Sequence, residues 1–234
     1  MADEPLQIDY YTDVLCIWAY IAQIKVDHIK QEFGSRVRIR YRFLSLFGNN
    51  PERIGMGWKD QGGFAGYGAH VRSVALPCTY VEVHPEVWSH NPPQTSLTAH
   101  LFIKAVEVLE SQGSINPEPQ AEYQGRTASQ EYSWRVREAF FRDLRDVARM
   151  DVLHDIARAQ ELSSELINAA IESGAAFAAL ALDIEAKQRL GLEGSPTFVI
   201  NEGRQKLYGN LGCDVVTANI RGLLDRDAGL PTWR

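Results

Sequence analysis

The residue best placed to do chemistry is Cys16, in DVLCIWAYIAQ (residues 13–23), where an extended apolar segment turns into a helical pattern. A helix start presents free N–H groups and the positive end of the peptide dipole, which stabilise a thiolate, the nucleophilic form of cysteine. The expectation is a pKa below the ~8.5 of free cysteine, and the fastest-reacting thiol of the chain. Three residues on, where a dithiol pair would keep its second sulfur, stands Ala19. A mixed disulfide formed on Cys16 would then not be released by an internal thiol at that position. Position alone also allows a buried cysteine that acts only as a small hydrophobe.

A second segment, EGSPTFVIN (193–201), sets Pro196 directly before an apolar run that would not tolerate proline inside it. A proline at such a strand entrance is a candidate for a cis bond, the ordinary trans form being the alternative. A cis bond there could offer a backbone N–H and C=O to an extended sulfur substrate, provided the fold brings Pro196 to Cys16. The other cysteines, Cys78 and Cys213, make an odd total of three, which is neither a disulfide framework nor the paired spacing of a zinc site. Neither shares a turn with Cys16, and a bridge needs α-carbons within about 7 Å. No metal site is expected, and in a reducing cytoplasm all three would be thiols. His100, in PPQTSLTAH, reads as a packed or capping histidine in a helix, and GMGW (55–58) follows no strand and is no phosphate loop.

Those two segments need elements to hold them. Leu6–Tyr11 is rich in strand formers and ends at Thr12 and Asp13, and 16–33 carries Ile17, Tyr20, Ile21, Ile24, Ile29 and Phe33 at helical spacing before Gly34. VRIRYRF (37–43) alternates without error: Val37, Ile39, Tyr41 and Phe43 face in, and Arg38, Arg40 and Arg42 form a solvated face. Strand, helix and strand over some 40 residues predict a βαβ unit with a parallel pair. Residues 48–94, rich in Gly, Pro and Asn, read as a long irregular connection of the kind that walls a binding site. Helical patterns follow over 95–111, 133–150, 151–159, 163–173 and 175–190, with 113–130 as a loop. TFVI (197–200) suits a buried strand, RQKLY (204–208) can pair back on it, and a last helix runs over 214–224.

The whole chain is 234 residues, 45% hydrophobic and 23% charged, enough for one large domain or a domain with a sizeable insertion. A formal net charge of -6 argues against nucleic acid as the main partner. No apolar run reaches the ~18 to 20 residues of a membrane span, and MADEPLQ lacks a secretory signal's basic and apolar parts, so no membrane partner and a cytoplasmic location are expected.

Strand, CxWxY helix, strand, helical insertion and G-S-P-T-F strand together resemble the DsbA-like thioredoxin-fold family. That family includes cytoplasmic dithiol oxidoreductases with CPWCY and, more distantly, kappa-class glutathione transferases and 2-hydroxychromene-2-carboxylate isomerases. The resemblance covers essentially the whole chain and is most specific at DVLCIWAY (13–20) and GSPTFVI (194–200). It implies an α/β thioredoxin-like fold with a large helical insertion: a discontinuous domain, 1–47 and 175–234, and a mainly helical insertion, 48–174. It further implies that Cys16 is the nucleophile, that Pro196 is cis and faces the thiol, and that Ser195 and Pro196 hold the substrate. Trp18 matches the family's tryptophan between the two cysteine positions, packing as an aromatic or lining the groove. Ile17 and Ala19 depart from the dithiol pattern at its proline and its resolving cysteine. The glutathione-using branch keeps a single serine or cysteine there. FLSLFGNNP (43–51) and LYGNLGCD (207–214) are loosely similar to its glutathione-binding segments, which implies Asn49, Asn210 and Asp214 as binding residues, with turn or capping roles as the alternative. Three readings follow: a monothiol oxidoreductase whose mixed disulfide glutathione resolves, a glutathione-dependent isomerase or transferase, and a binding module without turnover. The expected partner is a small thiol, disulfide or electrophile, with glutathione as co-substrate and no tightly bound cofactor. The sequence leaves the oligomeric state open, a homodimer included.

Overall fold

The strict alternation of Val37–Phe43 makes it a strand, β2, with Val37, Ile39, Tyr41 and Phe43 turned inward. It pairs in parallel with β1 (Leu6–Thr12), from Leu6 opposite Val37 to Thr12 opposite Phe43. β3 (Thr197–Ile200) is buried throughout and runs antiparallel to β1 with Tyr11 opposite Thr197, while β4 (Gln205–Tyr208) pairs back on β3. The sheet order is β2-β1-β3-β4. Because the end of β1 meets the start of β3, this register sets the segment entering Cys16 beside the segment leaving Pro196. The computed structural model describes residues 4–227.

The helical elements are α1 (Ile17–Ile21), α2 (Gln23–Phe33), α3 (Gly63–Ala75), α4 (Leu97–Ser111), α5 (Ala128–Phe141), α6 (Met150–Ala159), α7 (Ser164–Glu172), α8 (Ala175–Leu190) and α9 (Cys213–Asp227). One connected set of buried apolar side chains runs from Ile8, Tyr10 and Phe198 in the sheet through Phe43 and Phe102 to Leu153 and Ile167 in the helices, so sheet and insertion share a core. Among the described residues no single helix is long and apolar enough to cross a membrane.

Three expectations need correction. The helix foreseen over 16–33 is two: Ala22 relaxes to ψ -8°, and the N–H groups of Lys25 and Val26 both turn to its carbonyl. Periodicity misses this because the apolar face continues across the break. The stretch 48–94 is not all irregular, because α3 lies within it. Its glycines are there for close packing: a Cβ at Gly66 would lie 1.8 Å from the Gln61 carbonyl oxygen, and one at Gly68 2.3 Å from that of Val87. The helix foreseen over 133–150 instead starts at Ala128, behind a capping box of Thr127 and Gln130, and ends at Phe141; Leu144 then takes a left-handed φ of 54°.

The insertion is tied to the edge of the sheet by a buried carboxylate. Asp183 of α8 accepts from the Phe43 N–H (2.9 Å) and pairs with Arg42 (2.8 Å) and with the buried Lys104 of α4 (2.7 Å). Removing one member of a buried ionic cluster strands the others in a dry interior. Asp183→Asn is expected to cost about 3 kcal/mol of unfolding free energy by urea titration, and a loss below about 1 kcal/mol would contradict this anchoring role.

Candidate active site

Cys16 is the N-cap residue of α1, with extended backbone (φ -83°, ψ 114°), and its carbonyl accepts from the N–H groups of Ala19 and Tyr20. Its thiol donates to the Ser195 carbonyl at 3.3 Å, and the Ser195–Pro196 bond that follows is cis. Two segments separated by 179 residues thus meet at the sulfur. The Ser195 hydroxyl oxygen accepts from the Asp13 N–H (3.1 Å), Thr197 Oγ1 donates to the Gly194 carbonyl (2.8 Å), and the Gly209 N–H donates to the Pro196 carbonyl (2.9 Å). A Cβ at Gly194 would lie 2.6 Å from the Tyr208 ring, so any side chain there would require the exposed Tyr208 to swing away.

Cys16 is only 3% exposed, and this reverses the expected direction of its pKa. Burial pushes the Cys16 thiol above its ordinary value. The Ser195 hydroxyl and the N–H groups of Ala19 and Trp18 pull it back, while the Asp13 carboxylate adds to the rise. A helix of five residues supplies little dipole, so desolvation wins.

Asp13 is the residue that sequence reading passed over, having taken it as a strand stop. Its fully buried carboxylate accepts from the Leu15 N–H (3.0 Å), the Phe47 N–H (3.0 Å) and the Ser96 hydroxyl (2.8 Å), and His100 Nε2 lies 3.5 Å from Oδ1. It therefore ties the approach to Cys16 to the loop after β2 and to the start of α4. Burial pushes its carboxyl up, but the imidazole of His100 and the N–H groups of Phe47 and Leu15 hold it below the usual carboxylate range. The neighbouring Thr12 is held by Arg137, which is fully buried and donates to Thr12 Oγ1 (2.8 Å) and Gln23 Oε1 (3.0 Å). Tyr67, on the unforeseen α3, has its phenol raised first by burial and then by the charge of Cys16, and its ring packs on Trp58 and Trp88.

Of the expected site residues, Cys16, Ser195 and Pro196 are together. Trp18 is 38% exposed in the first turn of α1, available as groove wall. Asn49 is exposed and accepts from the Glu52 N–H (3.2 Å), a local capping bond. Asn210 accepts from Lys25 Nζ on α2, and Asp214 is exposed in the first turn of α9. Cys78 and Cys213 are free and half-buried. A cleft of about 1340 Å³ lies elsewhere, between α2, the β2 edge and the 117–130 segment, lined by Lys30, Tyr41, Glu110 and Gln130 among others.

A carboxylate with a depressed folded pKa stabilises the fold at pH values above its unfolded pKa, and that contribution disappears as pH falls through the folded value. Asp13→Asn is therefore expected to be less stable than the parent by about 3 kcal/mol at pH 7, a gap that narrows below about pH 4. Urea titrations across pH check this; a gap independent of pH would contradict an ionised Asp13.

Comparison with known proteins agrees with this architecture. A family model described as thioredoxin matches residues 119–214. No relative among curated protein sequences matches. A Nitrosomonas europaea protein assigned provisionally as a protein disulfide isomerase superposes with a TM-score of 0.73 at 15% identity, over 95% of this chain and 99% of its own. The cytosolic disulfide reductase DsbM of Pseudomonas aeruginosa gives 0.63 at 18% identity (92% and 99%), and with GSH present 0.62 at 18% (96% and 100%). A 2-hydroxychromene-2-carboxylate isomerase gives 0.59 at 14% identity (96% and 99%). At these identities the likeness shows the fold alone, a thioredoxin-like fold carrying a helical insertion.

Proposed function

We propose that this protein is a monothiol oxidoreductase that exchanges disulfides through Cys16, with glutathione as co-substrate. The observation that carries the reading is the Cys16 sulfur bonded to the carbonyl before cis-Pro196, with a buried Ala19 where a second thiol would stand. The thiolate attacks one sulfur of a small disulfide, forming a Cys16 mixed disulfide and expelling the other half as a thiolate. A glutathione thiolate then attacks the substrate-derived sulfur, giving a glutathione mixed disulfide and restoring the Cys16 thiolate. Ala19 offers no internal thiol for this second step, and a reducing cytoplasm would supply the external one. Support for glutathione comes from the similar Pseudomonas aeruginosa disulfide reductase, whose structure was determined with GSH. Asn210, which accepts from Lys25, and Asp214 in the first turn of α9 are the proposed contacts for its charged end.

The buried, raised thiol favours a second reading, a glutathione-dependent isomerase or transferase in which protonated Cys16 positions the glutathione sulfur instead of attacking.

Incubation with glutathione disulfide is expected to add one glutathione at Cys16, read by peptide mass spectrometry and removed by free glutathione. The adduct should persist in Cys78→Ser and Cys213→Ser and be lost in Cys16→Ser. No adduct at Cys16, combined with turnover of an electrophile, would favour the second reading; neither would leave a binding module. Ala19 lies three residues from Cys16, on the same helix face. Ala19→Cys is expected to release the adduct without added thiol, leaving an internal disulfide. An adduct in that variant as long-lived as in the parent would contradict the role given to Ala19.

A further inference from the structure

Lys30 of α2 is a cation without an anion. Its Nζ donates to the Gly125 carbonyl (3.2 Å) and to Gln130 Oε1, both neutral, and among the described residues no carboxylate pairs with it. An ammonium has three protons to give, so one is left over. Burial is the largest influence on the group and lowers its pKa to about 8; the charges of Asp27 and Glu110 offset part of that drop, and Arg126 adds to it. The amide that receives Lys30 is itself fixed. Gln130 Nε2 donates to the Ile39 carbonyl of β2 (3.1 Å), the outer strand of the sheet, and Gln130 Oε1 also accepts from the Thr127 N–H (3.3 Å). The ammonium is thereby held at one place on the wall of the 1340 Å³ cleft.

The other charged groups of that wall are matched or exposed. Asp27 of α2 pairs with Arg126 (3.0 Å) and accepts from Gln23, and Glu107 of α4 pairs with Lys104 (2.7 Å). Glu110 accepts from the Ser129 N–H (2.8 Å) and hydroxyl (2.6 Å). Arg40 of β2 pairs with Asp9 and His28 of α2 with Glu32, while Arg38 and Glu118 are exposed. The rest of the wall is largely apolar: Ile24, 47% exposed, with Ile39, Tyr41, Ile103, Pro117 and Pro119.

We propose that this cleft binds a small organic acid with an apolar body, its carboxylate pairing with Lys30 Nζ and its body lying against Ile24, Ile39 and Ile103. An anion there takes the spare proton of the ammonium and supplies the charge that the surrounding elements do not. One cation among matched carboxylates suits a monoanion, since a second negative charge would face Glu110 without a partner. The cleft exceeds the roughly 300–1,000 Å³ of ordinary small-molecule sites, so such a ligand fills part of it. None of its lining residues is among those placed around Cys16, and the site stands whether or not Cys16 exchanges disulfides.

Octanoate, a monocarboxylate with an aliphatic body, is the probe, titrated calorimetrically into the full chain at pH 8. It is expected to bind and to shift the amide NMR signals of Ile39, Gly125 and Gln130. Octan-1-ol, with the same body and no charge, is expected to bind at least about tenfold more weakly, as is octanoate to Lys30→Met. Lys30→Arg, which keeps the charge, should bind octanoate within about threefold of the parent. At pH 8 about half of Lys30 is neutral, and an anion favours the charged form, so binding to the parent should take up as much as about half a proton. This is read from the difference in binding heat between phosphate and Tris buffers, and Lys30→Arg should take up none. A lysine that only ties the 124–130 segment to α2 would move none of these readouts. The proposal is overturned by no octanoate binding at millimolar concentration, by octan-1-ol binding as tightly as octanoate, or by unchanged affinity in a folded Lys30→Met. If Lys30→Met does not fold, octan-1-ol, the amide shifts and the proton uptake decide.

Discussion

The geometry of the site depends on one buried carboxylate. The Asp13 carboxylate is fully buried, so its lone pairs are a demand on the fold, met by the Leu15 and Phe47 N–H groups and the Ser96 hydroxyl. Those donors come from the turn into α1, the loop after β2 and the approach to α4. The Asp13 N–H reaches Ser195 in the cis-proline segment. The carboxylate thereby fixes three stretches of chain around Cys16 with charge-assisted bonds that are stronger than neutral ones, and the backbone of the same residue holds the fourth. Its cost to the thiol is equally direct, because a buried negative charge opposes a second one nearby.

That opposition changes how the active thiol is to be understood. A cysteine at a helix N-terminus is ordinarily activated by free N–H groups, but α1 has five residues and Cys16 is almost wholly covered. The resting sulfur is a hydrogen-bond donor to Ser195, and reaction requires that bond to be replaced. The contest is between desolvation plus Asp13 on one side and two helix N–H groups plus the Ser195 hydroxyl on the other, and desolvation is the larger effect. Under the proposed function, an approaching sulfur substrate would take over the Ser195 edge.

Much of the sheet was legible in the sequence because its strands carry their own periodicity. Val37–Phe43 alternates without interruption, and Thr197–Ile200 is a short apolar run behind a proline. Cys16 and Pro196 were legible for the same reason, each being an unusual residue at a predicted boundary. The break at Ala22 was not, since the same face stays apolar on both sides. Nor was α3, whose glycines read as breakers until Gln61 and Val87 are seen pressed against them. Tyr67 went unread with it.

From residue types alone come the parallel βαβ start, the thiol without an internal resolver and the proline at a strand entrance, because these are local patterns of side-chain size and backbone restriction. The tertiary structure decided which of them meet. Tyr11 opposite Thr197 brings residue 16 to residue 195, and the insertion's α4 brings His100 and Ser96 to Asp13. It also decided the sign of the Cys16 shift: local sequence carries the helix start that lowers a thiol pKa, whereas the burial that raises it comes from residues distant in the chain.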